Sequence, residues 1–419
     1  MGTLSKFGVS LPYNCYEIAH PWTHSCPHAW AYLFTSCLQE SLKIYSLLYL
    51  FAQLGISRKV SLKAFGQTIA STVQSSIFLS YNVFFFLFLI CAFRYSLRRL
   101  YLPQSTFTAG FVSSFLAILL ERPARRRMLS LYMLNICSEV LFNFLANRAL
   151  VPVVPFGDIL LFSAGLAGHS YLISDIRNGR DPISAALRLF VGGDEFLPSI
   201  GATSSRCRHA ESSCVAYALR GFVKPFFIGY LGRCALASVG KARAVFAAPS
   251  SLPFVLRSVL TNGAFVRQGA FLGAAVLTFR AVRCMLRSAR VTNEGVSRAA
   301  AGALAGAWVA VSRNTSLSLY LFWKAAEGYY MRAVNMGMMP RVPLGTELMY
   351  AFACAVMLFN AIMEPHNIRP SYLRFLDAIT GTGYVYDTTQ STIFVKCYGN
   401  KQPVSVFQTV HPSKSRTVT

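Results

Sequence analysis

A six-residue pattern occurs twice in this chain, and it limits the folds open to it. Pro152-Val153-Val154-Pro155-Phe156-Gly157 returns 188 residues later as Pro340-Arg341-Val342-Pro343-Leu344-Gly345. At the same offset Ser130-Leu131-Tyr132 meets Ser318-Leu319-Tyr320, Glu139 meets Glu327, Asn147 meets Asn335 and Pro182 meets Pro370. Across 130–193, 13 of 64 positions match their counterparts without a gap. Unrelated sequences match at roughly one position in fifteen, so an internal duplication is expected.

What is repeated is greasy. The 419 residues are 54% hydrophobic and only 13% charged, with 33 Phe and 20 Tyr. That falls outside the range of ordinary soluble domains. The net charge of +24 comes from 40 Lys and Arg against 16 Asp and Glu. A nucleic-acid binder would carry such charge on polar surfaces. Here the cations flank apolar runs, as Arg94, Arg98 and Arg99 do, in the manner of membrane helices facing anionic headgroups. A lipid bilayer is the expected partner, and nucleic acid is not.

Apolar runs near spanning length fall at 38–54, 75–93, 107–120, 128–146 and 156–174, then at 215–237, 265–284, 296–311, 317–334 and 347–363. The expected fold is all-α: a polytopic membrane helical bundle of two internal repeats with about four to five helices each. Odd helix parity would make the repeats inverted, even parity parallel. The expected organisation is a Cys/His-containing segment at 1–34, a first repeat at 35–200, a second at 201–380 and a polar tail at 381–419. Residues 1–30 lack a short apolar core before a small-residue cleavage site, so insertion is expected to rest on internal spans.

Four groups of residues are candidates for function. Glu139 and Glu327 are repeat-equivalent acids within apolar helices, and Lys324 stands one turn from Glu327. Buried carboxylates need partners or a cavity, so these residues fit either a polar path between the repeats or a structural hydrogen-bond network. Gly269-x-x-x-Gly273 and Gly302-x-x-x-Gly306 allow close helix approach, within the bundle or in a homo-oligomer. Pro152, Pro155, Gly157 and Pro340, Pro343, Gly345 read as repeat turns in which Pro ends one helix and Gly permits a sharp entry into the next. Cys15, His20, Cys26, Cys207, His209 and Cys214 carry donors that zinc prefers, although their spacings fit no standard zinc module. Buried thiols and interfacial histidines are the plainer explanation, with zinc as the alternative. No other cofactor is expected. Without a Gly-x-Ser-x-Gly elbow, a phosphate-binding loop or a His-Glu-x-x-His pair, the chain reads as non-enzymatic.

Several blocks resemble a known family. Cys15-Tyr16-Glu17-Ile18-Ala19-His20-Pro21-Trp22, Glu40-Ser41-Leu42-Lys43-Ile44-Tyr45, Ile118-Leu119-Leu120-Glu121-Arg122, Leu187-Arg188 and Arg369-Pro370-Ser371-Tyr372 are similar to the transmembrane protein 135 family. So are Cys207-x-His209-x-x-x-x-Cys214, Gly229-Tyr230-Leu231 and Gln268-Gly269-Ala270-Phe271-Leu272-Gly273. The resemblance runs from about residue 11 to 380, with a shorter central loop and a divergent tail. It implies an integral protein of peroxisomal or mitochondrial membranes, engaged in organelle dynamics, mitochondrial fission and lipid or cholesterol handling. A lipid or sterol ligand and organelle-division partners follow from the same resemblance. The second half is also similar to the mitochondrial inner-membrane translocase and small peroxisomal membrane protein superfamily. A partner-recruiting scaffold and a translocase-like channel are the alternatives.

Overall fold

A computed structural model describes residues 14–20, 22–51, 53, 61–173, 181–196, 213–247, 252–291 and 293–380. The regular elements among them are helices, as the apolar runs require. The chain divides into two compact units: Met1–Leu150 with Leu344–Thr419, and Val151–Pro343. These differ from the sequence division near residue 200. The breaks fall at 150/151 and 343/344, at or beside the two copies of the Pro-x-Val-Pro-x-Gly pattern. The tail at 381–419 lies outside the described residues.

The first unit contains α1 (Cys15–Ile18), α2 (Cys26–Phe51), α3 (Leu62–Leu97), α4 (Leu102–Leu120) and α5 (Pro123–Ala146). α13 (Gly345–Met363) and α14 (Pro370–Thr380) complete it. α13 is its central strut, packing against both α4 and α5, while α3 lies against α2 and α4. Small side chains permit this: Ala351, Ala353 and Ala355 are fully buried, and a Cβ on Gly110 would meet the Ala355 backbone at 3.1 Å. Phe78, Met133, Cys137, Val140, Tyr350 and Met357 fill the surrounding core.

The second unit contains α6 (Gly157–Leu172), α7 (Pro182–Val191), α8 (Cys214–Ala247), α9 (Leu252–Leu260) and α10 (Gly263–Ser288). It continues with α11 (Glu294–Gly306), which tightens into a 3-10 turn at Ala307–Ser312, and α12 (Thr315–Asn335). α6 packs against α11 and α12, and α10 against α8 and α11. Both glycine motifs serve these contacts. A Cβ at Gly269 or Gly273 would strike Phe226 or Phe222 of α8, and one at Gly302 or Gly306 would strike α6 at 2.6–2.9 Å. All four glycine faces are therefore occupied within the unit.

The helices begin where the sequence supplies caps. Ser61, Asp181, Asn262, Asn293 and Asn314 each accept a backbone N–H of the first turn with a side-chain oxygen. The two repeat turns share one backbone device. Leu150 N–H bonds Leu145 C=O and Met338 N–H bonds Ala333 C=O, the six-residue closure of a Schellman cap. Ala149 and Gly337 have positive φ, as do Phe156 and Leu344 at the start of the next helix. The sharp entry thus falls on Phe156 and Leu344. Gly157 and Gly345 follow as the first helical residues and were not needed for it.

Among the described residues six helices are long and apolar enough to cross a membrane: α3, α4 (from Pro103), α5, α8 (to Ser238), α10 and α13. Four of the ten apolar runs, 296–311 among them as its shortness suggests, give helices that do not meet this measure. α6 has 16 residues, roughly 24 Å at 1.5 Å per residue. α11 stops after 13, α12 carries Lys324, Glu327 and Arg332, and α2 carries Glu40 and Lys43. On α8, Val215, Leu219, Val223, Phe227 and Leu231 point outward at four-residue spacing. Such an uncovered apolar stripe suits hydrocarbon.

Candidate functional site

Glu139 on α5 pairs with Arg369, just ahead of α14, and so ties that turn to α5. Glu327 on α12 accepts from Lys324 at 2.8 Å, and Lys324 reaches Asp181 at 3.4 Å. Asp181 caps α7, its carboxylate accepting the Ser184 amide and hydroxyl at 3.0 Å. Partial burial works against its charge, but the Ser184 bonds and Lys324 outweigh this and hold the carboxyl below its ordinary value. Asp181 and Arg369 are themselves 188 residues apart. Glu139 and Glu327 thus occupy separate units, each with partners of its own.

A second charge cluster was not anticipated. Arg283 on α10 is fully buried and engages Glu195 at 3.4 Å, Ser297 at 2.7 Å and Glu294. Arg287 adds a contact to Glu195 at 3.0 Å. Arg280, Arg283 and Arg287 recur at three- and four-residue spacing, the signal that they share a face. Of the acids that meet them, Glu195 sits in the short turn after α7 and Glu294 opens α11, and periodicity within α10 says nothing about either. The basic cluster at the start of α5 is also tied inward: Arg122 donates to Gln74 and Ser71, Arg125 to buried Glu121, and Arg126 to Glu347.

The first unit holds a partly open cavity of about 280 Å³. α3 supplies Phe78, Val83 and Leu87, α13 supplies Cys354 and Met357, and α14 supplies Phe375. Polar atoms in its wall are few. Asn82 accepts from Ser113 and Ser114 at 3.2 and 3.3 Å. The Thr106 hydroxyl is fully buried without a protein partner. A wall so largely apolar suits an aliphatic or sterol-like body.

Close to one end of this cavity a Cys/His cluster forms. The ligand atoms of Cys15, His20, Cys26 and Cys91 all lie within 4.8 Å of one another, an arrangement compatible with metal binding. Three of the six residues foreseen as ligands are present. Cys91 was missed, because a Cys within an apolar helix reads as a buried thiol. Cys207 and His209 lie outside the described residues, and Cys214 begins α8 in the second unit.

Residues 12–146 match the N-terminal cysteine-rich region of Transmembrane protein 135. This supports the transmembrane protein 135 family. The match takes in Cys15, His20, Cys26 and Cys91, together with α1 to α5. Together with the six spanning-capable helices among the described residues, this match supports an integral membrane protein. The match ends at residue 146, so the translocase likeness of the second half rests on sequence resemblance alone. No solved structure matches the chain.

Proposed function

We propose that this protein handles lipid in a peroxisomal or mitochondrial membrane, without catalysing a reaction. In this reading its first unit holds an aliphatic chain or sterol, and the resulting change in the bilayer feeds organelle dynamics, mitochondrial fission included. The cavity carries the proposal: an apolar pocket in a membrane protein, with the buried Thr106 hydroxyl, which has no protein partner, on a residue of its wall. The organelle and the link to fission come from the family resemblance.

The test is photo-crosslinking of a radiolabelled sterol to the full chain in detergent and in liposomes. Val83→Trp fills the cavity and should weaken capture at least about tenfold, a difference of about 1.4 kcal/mol. Thr106→Val should weaken capture of the hydroxylated sterol but leave its 3-deoxy analogue unaffected. A fatty acid carried through the same variants reads out the aliphatic ligand. Equal labelling of wild type and Val83→Trp by both probes defeats the proposal, and a scaffold role then takes its place.

The architecture proposed alongside is two repeats that exchange their last helices. Under the 188-residue offset α5, α6 and α7 correspond to α12, α13 and α14, and α4 to α11. The pairing of α13 with α4 and α5 then mirrors that of α6 with α11 and α12. The matching left-handed residues in the two turns support the same equivalence.

A further inference from the structure

We propose that Cys15, His20, Cys26 and Cys91 form a closed structural zinc site that fastens the N-terminal segment to α3. This stands apart from the lipid reading and can hold if that reading fails.

The histidine is the most telling member. His20 is fully buried. Its Nδ1 lies 2.8 Å from the Thr23 carbonyl, an acceptor only, so Nδ1 carries the proton and Nε2 the lone pair. Nε2 is buried with no partner in the protein. A buried acceptor left bare is costly, and a cation at that position removes the cost. A backbone carbonyl behind the distal ring nitrogen is also how metal-bound imidazoles are usually oriented.

Three sulfurs complete the set. Cys15 Sγ and Cys26 Sγ are 3.3 Å apart, too far for a disulfide. Zn–S bonds of about 2.3 Å place two thiolates of a tetrahedral site about 3.8 Å apart. The observed separations, up to 4.8 Å, need movements of about an ångström or less to meet that edge. Soft donors of this kind select zinc over magnesium or calcium. With four protein ligands no position remains for water, which makes the role structural.

The ligands come from places that gain from a tether. Cys15 opens the four-residue α1, Cys26 opens α2, and Cys91 sits near the end of α3. Three thiolates and a neutral imidazole leave the zinc complex with a single negative charge. Arg94 stands three residues after Cys91 and donates to Asn14, next to Cys15. Ala19 and Trp22, on either side of His20, line the cavity, so the metal would also fix one of its walls.

The experiment is metal analysis of the full chain, purified in detergent under reducing, metal-free conditions. The expected result is close to one zinc per chain. Cys15→Ser, His20→Ala, Cys26→Ser and Cys91→Ser should each lose most of it, while Cys37→Ser and Cys214→Ser should keep it. Since ligand variants can fail to fold, the wild-type chain is also stripped with a chelator and reloaded with Co(II). Thiolate-to-cobalt charge-transfer bands, intense tetrahedral d–d absorption and a raised unfolding temperature are expected. Wild type that holds no zinc and takes up no Co(II) overturns the site. So does iron in place of zinc, retention of zinc by the ligand variants, or a Cys15–Cys26 disulfide in protein alkylated at lysis.

Discussion

Asp181 caps α7 and faces Lys324, and its carboxyl is held below the ordinary value. A depressed acid contributes stability above its unfolded pKa and loses it as pH falls through the folded value. The share of the second unit's stability that Asp181 contributes should therefore be constant above about pH 5 and fall away below about pH 4. In Asp181→Asn that fall should shrink, as thermal melts in detergent can establish. A melt equally steep in both proteins would assign the acid sensitivity to other carboxylates. The partners of Asp181 illustrate what residue-level reading reaches. Lys324 beside Glu327 was legible because both stand on one helix at one-turn spacing. Asp181 was not, because it lies 143 positions before Lys324 and joins it only through packing. For Cys91, distance adds to its disguise as a buried thiol, since it lies 65 positions beyond Cys26.

Among elements, glycines at helix contacts and glycines on open faces should respond to the same change with opposite sign. A Cβ at Gly306 would lie 2.6 Å from the Ser163 backbone, so Gly306→Ala forces α6 and α11 apart and should cost about 1–3 kcal/mol. Gly66 on α3 has nothing within 4 Å, and Gly66→Ala should stabilise by up to about 1 kcal/mol through helix propensity. Equal responses in unfolding assays would show that the close approach carries no energetic weight. Among the described residues all ten apolar runs coincide with helices, because a run of that length and composition has few alternatives. Their ends were less legible. α3 extends beyond 75–93 in both directions to Leu62–Leu97 through Ser-, Thr- and Gln-bearing turns, since capping by Ser61 and packing against α2 and α4 sustain it. At the repeat turns the sequence drew the eye to Gly157 and Gly345. Left-handed backbone falls one residue earlier, on Phe156 and Leu344, side chains that give no hint of it.

For the molecule as a whole, α6 and α11 should prove to be neighbours although Gly306 lies 143 positions beyond Ser163. The same exchange of last helices sets α4 beside α13, where Gly110→Cys with Leu358→Cys, whose Cβ atoms would lie 3.6 Å apart, should couple on mild oxidation and survive to the denaturing gel as a faster-migrating species. No coupling would remove the exchanged arrangement. The repeat itself was visible in the sequence, because identical spacing survives divergence. Partnership between helices was not, since a 188-residue offset says which segments are alike and nothing about which ones touch.

That division of the chain also sets an order of manufacture. The second unit is complete once residue 343 has been made, whereas the first still lacks Tyr350, Ala353, Cys354 and Met357 of its core. The portion translated first is therefore the last to close. Until α13 arrives, α4 and α5 stand in the membrane with their inner faces uncovered, and a ribosome that stops early leaves one finished unit joined to one that cannot finish.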